Sequence, residues 1–210
     1  MVKRLQPRKI PGQQRAVETR QRLLAAAARV FATHGYAAGT TNRIAEAAGH
    51  SIGSLYQYFP NKDAMLVELA AAHVRDGLDA FERHLARGLP PVLEDCVRLL
   101  VGAMIDAHRD DPALHRVLFE QAPRPPELLE VLREAEAMIV AAVAEVLAAD
   151  PAVRVGDLSL AARLVVTTAE SVVHRVVTHD PPDDLDAFAD EVVVMLVGYL
   201  TAGGARRSGR

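Results

Sequence analysis

The 210-residue sequence holds a single cysteine, no tryptophan and only 4% aromatic residues. With Cys96 alone, neither an intrachain disulfide nor a cysteine metal cluster is possible, which fits a reducing compartment. Long apolar runs are missing as well. The longest uncharged apolar stretch, beginning at Val192, reaches about fourteen residues against the roughly 20 that a membrane helix needs. The first residues, "MVKRLQPRKIPGQQR", are basic and interrupted by Pro7, Pro11 and Gly12, with no apolar centre, so they do not read as a secretory signal. Together these absences predict a soluble, cytoplasmic protein without a membrane partner. No alternating strand pattern stands out, and Ala, Leu and Val outnumber Ile, Tyr and Phe, a mixture that favours helices. The expected fold class is all-α.

Net charge is −3, but it is unevenly placed. Up to Lys62 there are ten basic residues against Glu18 and Glu46, so the first 62 residues carry +8 and the remainder −11. A basic head on an acidic body suggests that one end meets a polyanion while the rest avoids it.

The most provocative local pattern is "GHSIG", residues 49–53, which satisfies the G-x-S-x-G of a hydrolase nucleophile elbow and nominates Ser51 as a nucleophile. An elbow needs a buried strand leading into it. Here the preceding residues, "TTNRIAEAAG", place Ile44, Ala45 and Ala48 at helical spacing and end at Gly49. Ser51 is better read as the N-cap of a short helix that Pro60 closes. No catalytic residue and no enzymatic function are expected.

Punctuation by Pro, Gly and Asp divides the rest. A first helix runs from about Arg15 to His34, with Leu24, Ala27 or Ala28 and Phe31 on one face and Gly35 as its stop. A second begins at Thr41, whose hydroxyl is the expected cap, and ends at Ala48. Asn61 caps a long fourth helix through about Arg87. Further helices are predicted near 91–109, 112–121, 126–148, 157–178 and 184–200. Two short helices joined by a Gly-containing turn at the basic end match a helix-turn-helix. Leu55 and Phe59 would pack inward, leaving Gly53, Tyr56 and Gln57 outward. Lys62, in the first turn of the fourth helix, would meet a phosphate there.

The run "RQRLLAAAARVFATHGYAAGTTNRIAEAAGHSIGSLYQYFPNKDAML" resembles the amino-terminal domain of the TetR family of transcriptional regulators. Phe31, Gly35, Tyr36, Thr41, Ile44, Ala45, Gly49, Ser51, Gly53, Leu55, Tyr56, Phe59 and Lys62 all fall at the family's spacing; His50 stands where an apolar residue is more usual. The resemblance implies a regulator, most often a repressor that leaves a palindromic duplex operator when a small-molecule effector binds. It also implies a homodimer joined through its last two helices, with the effector enclosed by the middle ones. The set expected at DNA is Thr41, Arg43, His50, Ser51, Ile52, Gly53, Tyr56, Gln57, Tyr58 and Lys62.

The implied layout is a basic arm over residues 1–14, a three-helix helix-turn-helix domain over 15–62, a larger helical ligand-binding and dimerisation domain over 63–201, and a disordered tail over 202–210. Met104, His108, Phe119, Met138, Glu170 and His174 are the candidate effector-pocket residues. His174 follows Glu170 by four, a spacing that could hold a metal, but it is read as a structural pair or pocket group; no metal and no cofactor are expected. The candidate dimer interface comprises Leu164, Ser171, Val172 and Arg175 with Val192, Met195, Leu196 and Tyr199. Two other readings remain at this level: a ligand-independent helical DNA-binding or scaffold protein, and a hydrolase using Ser51.

Overall fold

The computed structural model describes the backbone of residues 11–202 and the side chains of 14–83 and 86–202. Among the described residues there are helices and no strands, as α1 (Pro11–Ala38), α2 (Thr41–Ala47), α3 (Ile52–Tyr58), α4 (Lys62–Ala86), α5 (Leu93–Arg109), α6 (Pro112–Arg116), α7 (Pro126–Ala149), α8 (Leu158–His179) and α9 (Leu185–Thr201). A π-helical turn, Val117–Gln121, continues α6. From α5 onward the ends fall within about two residues of those expected from sequence, the usual latitude of helix termini.

Three local expectations need correction. Helix α1 starts at Pro11, so residues 11–14 of the expected arm are helical; residues 1–10 and 203–210 lie outside the described residues. Gly35 does interrupt α1, at φ 72° and ψ 174°, but the chain turns helically once more to Ala38 before α2. The stretch 112–121 is not one α-helix, because it widens into the π turn after Arg116.

The apolar residues gather in two clusters. One joins Leu23, Ala27 and Phe31 of α1 to Ile44 of α2, Leu55 of α3 and Met65, Leu66 and Ala70 of α4. The same cluster takes in Val117 and Leu118 of the π turn and Leu128 of α7, so packing is continuous across the boundary expected after Lys62. The second lies among α5, α7, α8 and α9, around Val101, Ala161, Val165, Ala169, Val173, Val193 and Leu200. Both are built from full side chains at roughly zero exposure, the main source of stabilisation at about 25 cal/mol per Å² of apolar surface removed from water. Arg20 of α1 forms a forked ion pair with Glu68 of α4, and its guanidinium lies 5.0 Å from the Phe59 ring, closing the head over α3.

Candidate nucleic-acid interface and histidine cluster

Helices α2 and α3 are short, so their ends decide whether they form at all. Ser51 Oγ accepts the Ser54 amide at 3.1 Å, as expected of an N-cap, and the turn before it depends on Gly49 at φ 68°, a left-handed conformation that other residues rarely adopt. Helices flank Ser51 on both sides, so the strand-to-helix elbow that a hydrolase reading requires is not there. At α2 the cap is Thr40, whose Oγ1 accepts the Arg43 amide at 3.3 Å, rather than Thr41 as expected. Either threonine can bond to an amide two or three residues on, and the backbone here enters the helix one residue earlier. Thr41 is left to do something else: its hydroxyl lies 3.2 Å from that of Tyr56, tying α2 to α3.

The face that α3 presents is uncommon for a soluble surface. Leu55 and Phe59 are buried beneath it, whereas Tyr56 is 52% exposed and Ser51, Ile52, Gly53 and Gln57 are exposed beside it. Arg43 is exposed on α2, donating to the Ala38 carbonyl at 3.3 Å, while Thr41 and His50 are half-buried at the edge. Tyr58 is half-buried against the head core, so it supports this face rather than fronting it.

Lys62, expected at a phosphate, has partners within the chain. Its Nζ donates to the Tyr36 carbonyl at 2.6 Å and to the Ala37 carbonyl at 3.4 Å, and it lies 3.9 Å from the centre of the Tyr36 ring. The cation therefore closes the exposed carbonyls at the end of α1, and is engaged before any phosphate arrives. Tyr36 is fixed from the other side by its hydroxyl, which donates to Asp63; desolvation and that carboxylate push its pKa up to about 12.

Behind this head, the expected effector pocket does not assemble. Met138 is 51% exposed, Glu170 is exposed beside Ser171, and Met104 packs into the body core. Periodicity could place Met138 and Glu170 on a helical face but not say which face was inward. His108, His174 and Phe119 do come together, joined by His73 and His115, neither of which is among the expected pocket residues. The His115 ring centre lies 4.2 Å from that of His108, 4.9 Å from His174, 4.8 Å from His73 and 4.4 Å from Phe119. Four helices, α4, α5, α6 and α8, each bring one histidine to this point. His174 pairs not with Glu170 but with Glu120 of the π turn, at 2.8 Å, and His179 reaches the other oxygen of that carboxylate at 3.2 Å. Burial, helped by the neighbouring imidazoles, drives His115 down to about 2 and His108 to about 4, and burial also lowers His73, so these rings are neutral near neutral pH.

A separate cleft opens at the far end of the body, lined by Phe81, Leu93, Val97, Leu100, Val143 and Leu147. Its walls are almost wholly hydrocarbon, with Cys96 at the edge donating to the Pro90 carbonyl.

On α8 and α9 the outward residues are Leu160, Leu164, Ser171 and Arg175, and Val194, Met195, Gly198 and Tyr199. Three expected interface residues turn inward: Val192 and Leu196 are buried in the subunit's own core, and Val172 is half-buried against it. The unexpected Val194, 65% exposed, stands in their place. Helix α9 is apolar on nearly all sides, so its sequence offers little contrast between faces.

Residues 23–69 match the profile described as bacterial regulatory proteins, tetR family, and residues 93–200 match that of the tetracyclin repressor-like C-terminal domain. The HTH-type transcriptional repressor AcnR of Corynebacterium efficiens is 41% identical over 54 residues, which are 26% of this chain and 29% of that protein. The HTH-type transcriptional regulator HbdR of Aromatoleum sp. is 31% identical over 102 residues, 46% of this chain and 43% of that protein. The chain thus spans less than half the length of these curated relatives. Among solved structures, the regulator FadR of Bacillus subtilis in complex with stearoyl-CoA superposes with a TM-score of 0.70 at 22% identity, covering 84% of this chain and 97% of that one. That likeness is one of fold.

Proposed function

The chain belongs to the TetR family of bacterial transcriptional regulators, and from that premise we propose that it is a repressor that binds a pseudo-palindromic duplex operator as a homodimer and releases it when a small molecule binds. Supporting this most directly is the outward face of α3, where Tyr56 stands exposed between Gly53 and Gln57 on a helix held at its start by Ser51. Gly53 carries a helix cost of about 1 kcal/mol relative to alanine, and its missing side chain permits close approach of the backbone to DNA. Residues 15–62 supply that contact, through Arg43, Ser51, Ile52, Gly53, Tyr56 and Gln57, with Thr41 and His50 at the rim. Residues 63–201 supply the effector site and the second copy. The outward apolar row of Leu160, Leu164, Val194, Met195 and Tyr199 fits a two-fold contact in which Ser171 and Gly198 allow close helix approach.

The effector we infer is apolar in the part that enters the body, because the distal cleft between α4, α5, α7 and α8 offers hydrocarbon walls. The acyl chain in the stearoyl-CoA complex of the Bacillus subtilis regulator is a ligand of that character. Among the described residues no helix is long and apolar enough to cross a membrane.

The deciding experiment selects bound duplexes from a random pool and measures their affinity by fluorescence anisotropy. A two-fold sequence with half-sites one or more helical turns apart is expected, with affinity falling steeply as salt rises. Recovery of no preferred sequence, or full-affinity binding of a monomer to a single half-site, would refute the proposal.

A further inference from the structure

The histidine cluster is more than a set of packed rings. One ring nitrogen from each of His108, His115 and His174 lies within 4.8 Å of the other two. His108 and His115 are 6% and 5% exposed, and His108 Nε2, His115 Nδ1 and His174 Nδ1 are all buried without a hydrogen-bond partner. The opposite edges of two rings are fixed. His108 Nδ1 meets the Met104 carbonyl at 2.6 Å and His174 Nε2 meets Glu120 Oε1 at 2.8 Å. Both partners are acceptors, so those nitrogens carry the proton, and the lone pairs of His108 Nε2 and His174 Nδ1 are left on the buried side.

Leaving one such group buried and unpaired is costly, and three at a single point is a poor way to build a core. A water molecule serves all three only when His115 Nδ1 carries the proton; with all three lone pairs turned inward, its two hydrogens leave one nitrogen unpaired. A divalent cation serves all three lone pairs at once. We propose that His108, His115 and His174 form a three-imidazole site for a divalent transition metal of the zinc class, with a fourth position open to water or to a donor atom of a bound ligand.

The dimensions suit this. For nitrogens within 4.8 Å of one another a common point exists no more than about 2.8 Å from each, so side-chain movements of roughly 0.7 Å reach the 2.0–2.1 Å of a Zn–N bond. Glu120 stands behind His174 as an outer carboxylate does behind a zinc-bound histidine, orienting the ring. Imidazoles without a thiolate select zinc, nickel, cobalt or copper over calcium and magnesium, and three protein ligands rather than four are the pattern of open rather than purely structural sites. The ligands come from α5, α6 and α8. Helix α6 and its π turn also pack on α1 of the head, so an ion here would fix the element that joins head to body. Metal binding stands on these residues alone; any effect on DNA rests on the proposed repressor function.

The full chain, stripped with a chelator, is titrated with Zn(II) by calorimetry and with Co(II) as a spectroscopic probe. One Zn(II) per chain is expected, with a Co(II) complex showing the strong visible absorption of four-coordinate geometry. His115→Ala and His174→Gln should each weaken Zn(II) binding by more than about 100-fold, Glu120→Gln by about 10- to 100-fold as an outer partner, and His34→Ala on the exposed surface of α1 not at all. His174→Gln, at a half-buried position, serves where His115→Ala fails to fold by circular dichroism. Absence of Zn(II) binding, or equal affinity in the wild type and a folded ligand variant, would overturn the site. Duplex binding is followed separately in the metal-free and the Zn(II)-loaded chain: failure to bind any selected sequence in both states counts against the repressor and leaves the metal site standing.

Discussion

Replacing Lys62 by methionine discriminates between two physical roles for one cation. If Lys62 closes the end of α1, Lys62→Met removes a charge-assisted hydrogen bond to the Tyr36 carbonyl, worth about 1.5–3 kcal/mol and nearer the low end at this half-buried position. It also removes the cation from the face of the Tyr36 ring, about 0.5–1 kcal/mol at an exposed site. Against these, a cation in the first turn of α4 opposes the helix dipole by about 0.3–1 kcal/mol, and methionine relieves that while keeping the aliphatic stem. The balance is a destabilisation of about 1–2 kcal/mol, or roughly 2–8 °C in Tm for a chain of this size. Thermal and urea unfolding read it, and the salt dependence of operator binding supplies the second measurement. The slope of log affinity against log salt should be unchanged under conditions where the variant is folded. An unaltered Tm together with a slope reduced by about 0.9 per subunit would mean that Lys62 neutralises a phosphate, and the structural role assigned to it would be wrong.

Gln57→Ala should change base preference at one operator position by about 1–3 kcal/mol while leaving the salt slope alone, as read by anisotropy on single-substituted duplexes. Glutamates at Leu164 and Met195 should give soluble monomers in sedimentation and abolish operator binding; a dimer that persists in the double variant would place the interface elsewhere. Glutamate at the buried Val192 should instead unfold the body, visible as lost helicity rather than as a change in mass. Gly39→Ala would drive a methyl to 2.6 Å from a Phe31 ring carbon and 2.9 Å from the Gly35 carbonyl oxygen, overpacking expected to cost about 1–3 kcal/mol in urea unfolding; a neutral result would mean that the turn relaxes freely.

The caps were readable from the letters because they are local. Ser51 and Asn61 need only their own side chain and an amide three residues on, and both bonds are present, at 3.1 and 2.8 Å. Where two neighbours carry the same chemistry, as Thr40 and Thr41 do, the pattern narrows the cap to a pair and backbone geometry picks the member. The histidine cluster lies beyond that horizon. His73, His108, His115 and His174 are spread over more than a hundred residues on four helices, and none shows a metal-ligand spacing with another. Glu170 and His174, four apart, drew notice for a relation that the fold does not use, whereas Glu120 reaches His174 across 54 positions. Val192 and Val194 were inseparable for another reason: on a helix apolar all round, only its neighbours determine which valine faces in.

The shared core of α1, α3, α4, the π turn and α7 bears on how such regulators can be recombined. Cutting after Lys62 to graft this head onto another body would strip Phe31, Ile44 and Leu55 of Leu118 and Leu128, and would leave the Tyr36 amide without the Gln121 side chain that it meets at 3.4 Å. The portable unit is therefore discontinuous in sequence: the first four helices down to about Ala70 together with residues 112–128. A hybrid that swaps both pieces keeps its head folded, and one that swaps only the first inherits a hole where the two halves of the chain used to meet.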